Sequence, residues 1–91
     1  MSNENATDKQ GIIDGLNEDL AREYQAIIQY VVFSSTLKGA EYGDIAEELK
    51  VHASEELEHA LEVAKQIDYL GGDPTVKSKD CLLYTSDAAD E

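Results

Sequence analysis

The sequence predicts an all-α protein folded as an antiparallel two-helix hairpin. Leu16 to Lys38 contains no Gly or Pro, and neither does Asp44 to Leu70. In both stretches the apolar residues recur in alternating steps of four and three, the spacing that places side chains on one face of a helix. Only GAEYG separates them, and a connection that short makes the helices antiparallel neighbours.

The chain opens on MSNENATDKQ, a polar run read as a flexible segment over 1–9, with the hairpin occupying 10–74. Asp8 is the residue best suited to cap helix one, although Gly11 and Gly15 in its first turns weaken that start. The inward stripe then reads Ile13, Leu16, Leu20, Glu23, Ile27, Tyr30, Ser34, Leu37. Lys38 suits the negative end of the helix dipole, and Gly39 supplies the left-handed residue that ends the helix.

Helix two carries its stripe at Ile45, Leu49, His52, Glu56, His59, Val63 and Leu70. Beside it runs a second set, Ala46, Ala53, Leu57, Ala60 and Ala64, mostly small enough for another helix to approach closely. Gly71, Gly72, Asp73 and Pro74 form a firm stop. Residues 75–80, TVKSKD, read as the start of a longer crossover connection.

From Cys81 the pattern changes. The segment 81–91, CLLYTSDAADE, resembles a translation of the transposon-end adapter used in sequencing libraries, and all of its residues agree with that reading. It is taken as a non-native tail, so that the native gene is expected to continue past Asp80 and this chain to be a truncated fragment. Setting aside Asp87, Asp90 and Glu91 changes the net charge from -13 to -10 and removes the sole cysteine.

An acidic balance of this size argues against nucleic acid and anionic membrane surfaces, which call for clustered Lys and Arg, and favours cations. No apolar run is long enough to span a bilayer, and the polar start lacks the apolar core of a signal peptide. A cytoplasmic location is expected. A chain of 91 residues supports only a marginal core, so a homo-oligomer is expected as well.

Glu23 interrupts an otherwise apolar stripe, and Glu56 and His59 stand in an E-x-x-H spacing on the facing one. Residues three apart on a helix can point to one place. Burying an ionised carboxylate without compensation costs several kcal/mol, and neither inward stripe offers a Lys or Arg. A metal ion is the remaining compensation, so Glu23, Glu56 and His59 are the candidate ligands. Carboxylates with a single imidazole suit iron or manganese, whereas structural zinc more often recruits thiolates. Four-helix proteins with dinuclear carboxylate sites take one Glu from each of two helices and a Glu-x-x-His from each of the other two; this chain holds half of that set. Glu55, Glu58 and Glu62 fall off the stripe and are read as solvated charges. His52 could serve as an outer ligand or as a half-exposed core histidine, and is left outside the site. Tyr30 could hydrogen-bond a ligand or donate an electron, with packing favoured slightly.

The motifs EYQAIIQY on helix one and HASEELEHA with YLGGDP on helix two resemble those of ferritin-like di-iron proteins, most closely bacterioferritins, over Leu16 to Pro74. The resemblance implies the first half of a ferritin-like four-helix bundle. It implies that Glu23 binds one iron, Glu56 bridges two and His59 binds one, and that Fe(II) is oxidised there by oxygen or peroxide and stored inside a hollow shell. Haem is not expected, because bacterioferritins place a haem-binding Met directly after the bridging Glu and Leu57 stands there. The family's third and fourth helices, with a further Glu and a second E-x-x-H, have no counterpart here. Two alternatives remain: a rubrerythrin-type di-iron peroxide reductase, which shares this half-site, and a metal-free acidic helical interaction module.

Overall fold

The computed structural model describes residues 2–81, with side chains from residue 8 onward. Helix α1 covers Ser2–Thr36, a 3-10 turn covers Ala40–Tyr42, and helix α2 covers Gly43–Tyr69. The two helices pack along each other as an antiparallel hairpin, with no strand among the described residues. None of the described helices is long and apolar enough to cross a membrane.

The element boundaries follow from local chemistry. Gly39 adopts φ 99° and Gly71 φ 87°, conformations that side-chain-bearing residues rarely tolerate. After α2 the Gly72 N–H donates to the Ile67 carbonyl and the Gly71 N–H to the Asp68 carbonyl, both at 2.9 Å. This pair of bonds is a Schellman motif, which satisfies two carbonyls that the helix end would otherwise leave open. The start of α1 departs from the sequence reading: the helix is already formed at Ser2, ahead of Asp8. Gly11 and Gly15 cost about 1 kcal/mol each inside a helix, a handicap that slows rather than stops it. Neither glycine has a neighbour near the place of a missing Cβ, so they sit on an open flank.

The core lies in the half of the hairpin away from the turn. Ile13 and Leu20 from α1 meet Ala60 and Ile67 from α2, with Leu16, Tyr24, Ile27, Val63, Ala64 and Leu70 packed around them. Burial on α2 is deepest at Ala60 and Ile67, so the helix is rotated toward its small-residue set compared with the stripe read from sequence. Alanines let the backbones approach, and dispersion contacts then favour that side. His52, His59 and Ile45 come out more exposed as a result. Nearer the turn, Val31, Phe33 and Ile45 remain large and exposed.

Residues 73–81 fold back as an extended strap along α1. The Thr75 N–H donates to Asn17 Oδ1 at 2.7 Å, and Asn17 Nδ2 donates to the Asp73 carbonyl at 3.1 Å. The Tyr24 hydroxyl donates to the Thr75 carbonyl at 2.9 Å, and the Lys79 N–H donates to the Ala21 carbonyl at 3.1 Å. Lys79 also pairs with Glu18, Gln25 donates to the Asp80 carbonyl, and Cys81 is buried with its Sγ 3.9 Å from the Gln25 carbonyl. Most of the proposed adapter-derived tail, 82–91, lies outside the described residues.

Candidate metal centre

Leu20 and Ala60 are the contact that sets the position of the site. Leu20 is fully buried and Ala60 nearly so, in one cluster. Glu23 follows Leu20 by three residues and Glu56 precedes Ala60 by four, so each carboxylate projects from the same side of its helix as a buried neighbour. The packing of two apolar residues thereby brings two acidic ones to face each other.

Glu23, Glu56 and His59 offer ligand atoms that all lie within 4.8 Å of one another. His59 Nδ1 is 3.7 Å from Glu23 Oε2 and 3.8 Å from Glu56 Oε1. Both glutamate side chains are only 23% exposed, whereas the imidazole is 62% exposed. The trio is therefore closed on the hairpin side and open on the other. All three residues expected from the sequence as ligands come together at one point.

The electrostatics are those of a site short of positive charge. The Glu23 carboxyl is pushed up from 4.5 to about 7, first by burial, then by its hydrogen bond with Glu56 and the negative charge there; His59 acts in the opposite direction, and Asp19 adds to the rise. Among the described ion pairs, no Lys or Arg reaches Glu23 or Glu56: Arg22 is engaged with Glu18 and Asp19, Lys50 with Glu47, and Lys79 with Glu18. Two semi-buried carboxylates facing each other with one imidazole and, among the described ion pairs, no Lys or Arg make a donor set that fits a hard or borderline divalent cation such as Fe(II).

The neighbouring candidates fall elsewhere. His52 Nδ1 lies 3.3 Å from Glu55, and its ring stands 5.6 Å from that of Tyr30, tilted by 36°. Tyr30 thus packs on His52, and neither belongs to the converging trio. Glu55, Glu58 and Glu62 are exposed. Leu57 is half exposed. Asp19, one turn before Glu23, contributes to the site's negative field and was not singled out in the sequence; its i−4 spacing to Glu23 is the signal that could have found it.

The chain is similar to known proteins in sequence and in fold. Over 91 aligned residues, the chain is 34% identical to a bacterioferritin from Desulfovibrio desulfuricans, an alignment that covers 91% of this chain and 51% of the relative. The fold superposes with a TM-score of 0.77 and 40% identity on the crystal structure of a ferritin-like, diiron-carboxylate protein from Bacillus anthracis str. Ames, over 80% of this chain and 52% of that one. The chain thus spans about half the length of the relatives it matches. The model of the ferritin-like domain matches residues 13–87, most of the sequence, and the chain belongs to the ferritin-like family.

Proposed function

We propose that the chain binds Fe(II) through Glu23, Glu56 and His59 and that its native activity is the oxidation of that iron by oxygen or peroxide, for storage and detoxification in the cytoplasm. The observation that carries this reading is the pair of facing carboxylates with an imidazole beside them and, among the described ion pairs, no Lys or Arg to neutralise them. The bacterioferritin and diiron-carboxylate relatives support it.

Each residue has a distinct task. Glu23, whose carboxyl holds its proton more tightly than usual, would give up that proton to serve as a ligand from α1. Glu56 faces Glu23 from α2 and would be the carboxylate shared between iron ions, the role that the family resemblance implies. His59, exposed on the open side, contributes nitrogen where solvent and oxidant have access. Iron bound there supplies the electrons that reduce the oxidant. Since carboxylates stabilise the ferric state over the ferrous one, the donor set favours release of an electron.

The test is aerobic Fe(II) oxidation followed by near-ultraviolet absorbance of the ferric product, against buffer and against Glu23→Ala. The wild-type chain should remove Fe(II) faster than buffer does and the variant should not. An equal rate in all three would overturn the assignment, and so would Glu23→Leu and Glu56→Leu variants that match the wild type in iron response while gaining stability, the result expected of a metal-free interaction module.

A further inference from the structure

The hairpin changes character at the level of the trio. The described buried residues of the two helices, Ile13, Leu20, Ala21, Ala60 and Ile67, all lie on the side away from the turn, and no residue from 22 to 59 is buried. Glu23 stands three residues beyond Leu20 and Glu56 four before Ala60, so the trio marks the border between a packed half and an unpacked one. We propose that a divalent cation held by Glu23, Glu56 and His59 is a clasp that keeps the turn-proximal half of the hairpin closed, and that without the cation this half opens independently of the packed half. The inference rests on the metal-centre reading above and adds to it a conformational task for the bound ion.

Residues 24–36 of α1 and 43–55 of α2 extend past the trio toward the turn. Each run is about thirteen residues long, a length at which an isolated helix is marginal in water, so tertiary contact must hold it. Little is available. Val31, Phe33 and Ile45 are 49%, 41% and 50% exposed, and Leu37 and Leu49 are only half-buried. The ring contact that bridges the helices there, Tyr30 with His52 at 5.6 Å, ends on a histidine whose side chain is 49% exposed. A region with so few buried apolar contacts opens at low free-energy cost, before the molecule as a whole unfolds.

At the border the helices present like charges to each other. Glu23 from α1 faces Glu56 from α2, and repulsion between two ionised carboxylates works against closure. A divalent cation reverses the sign of that contact. Glu23 is the trio's one member on α1, while Glu56 and His59 stand on α2, so an ion bound to all three ties one helix to the other. Separating the helices at this level takes Glu23 away from the other two ligands and weakens the hold on the ion. The ion thus binds the closed hairpin in preference to the open one, and closure is favoured in proportion to free cation over its dissociation constant. At about 100 times that constant, exchange through opening of the turn-proximal half should slow about 100-fold.

The experiment follows amide hydrogen exchange by mass spectrometry on the full chain, first in chelator and then with Co(II), whose visible absorption reports binding separately. In chelator, peptides from 24–36 and 43–55 should exchange faster than peptides from 13–21 and 60–67. Free Co(II) at about 100 times the dissociation constant read from the absorption should slow the turn-proximal peptides about 100-fold. Glu23→Ala, which leaves ligands on α2 alone, should keep the helical circular dichroism and lose that slowing. Turn-proximal exchange that is unchanged while the absorption shows Co(II) bound overturns the clasp and leaves the metal centre standing. So does turn-proximal exchange as slow as that of the packed half in chelator, or slowing that survives Glu23→Ala. Absence of any Co(II) absorption overturns the metal centre itself and the clasp with it.

Discussion

Replacing Glu23 by Gln in the metal-free protein isolates the electrostatic cost of the site. The Glu23 carboxyl titrates near 7 in the folded chain and near 4.5 when unfolded, so between those values the folded state holds the extra proton. Stability is therefore fully present below about 4.5 and falls as pH rises through 7, the opposite of the usual salt-bridged carboxylate. A rise from 4.5 to about 7 corresponds to a few kcal/mol, most of which is lost between pH 5 and 8. Allowing for solvent screening of a side chain that is 23% exposed, about 2 kcal/mol is the figure to expect. Gln keeps the shape and removes the charge. Urea titrations followed by circular dichroism in chelator, at pH 5 and pH 8, should show the wild type losing about 2 kcal/mol more than Glu23→Gln across that interval. Because all other titrating groups are common to both chains, the difference between them belongs to Glu23 and its coupling to Glu56 and His59. Parallel losses in the two proteins would refute the argument that burial and Glu56 load this carboxyl.

Two further tests address the scaffold. A Cβ at Gly72 would fall 2.6 Å from Ile13 Cγ2 and 3.1 Å from Ile67 Cγ2, so Gly72→Ala should destabilise the chain by about 1–3 kcal/mol through overpacking, measured by thermal or urea unfolding. Asn17→Ala removes two hydrogen bonds to the strap and should cost about 1–2 kcal/mol, with faster hydrogen exchange at the Thr75 amide as its local signature.

Much of the hairpin was legible because glycine and periodicity speak directly about backbone and face. The end of α2 at Gly71 follows from a residue able to take positive φ, and α2 came within one residue of its expected limits, whereas α1 ends at Thr36, short of the Lys38 and Gly39 expected to close it. The start of α1 was not legible, since Gly11 and Gly15 signal a weak helix whether or not one forms around them. The rotation of α2 was hidden for a related reason: periodicity identifies a stripe but weighs Ala60 below Leu or Ile, while close approach favours the small residue. The trio was legible from Glu23 and the E-x-x-H spacing, as carboxylates on a stripe otherwise chosen for burial. The strap was not, because Asn17, Tyr24 and Gln25 read as ordinary polar or packing residues, and nothing in TVKSKD announces that its backbone will find them.

The strap also sets an order of events in folding. Its bonds join residues 51 to 61 positions apart, from Tyr24 with Thr75 to Glu18 with Lys79. Closing so long a loop for a handful of bonds is unfavourable unless the helices have already brought the ends together. The strap should therefore dock last and lift first. Trypsin cleavage at Lys77 and Lys79 would report the moment at which the hairpin begins to open, well before the helices themselves unwind.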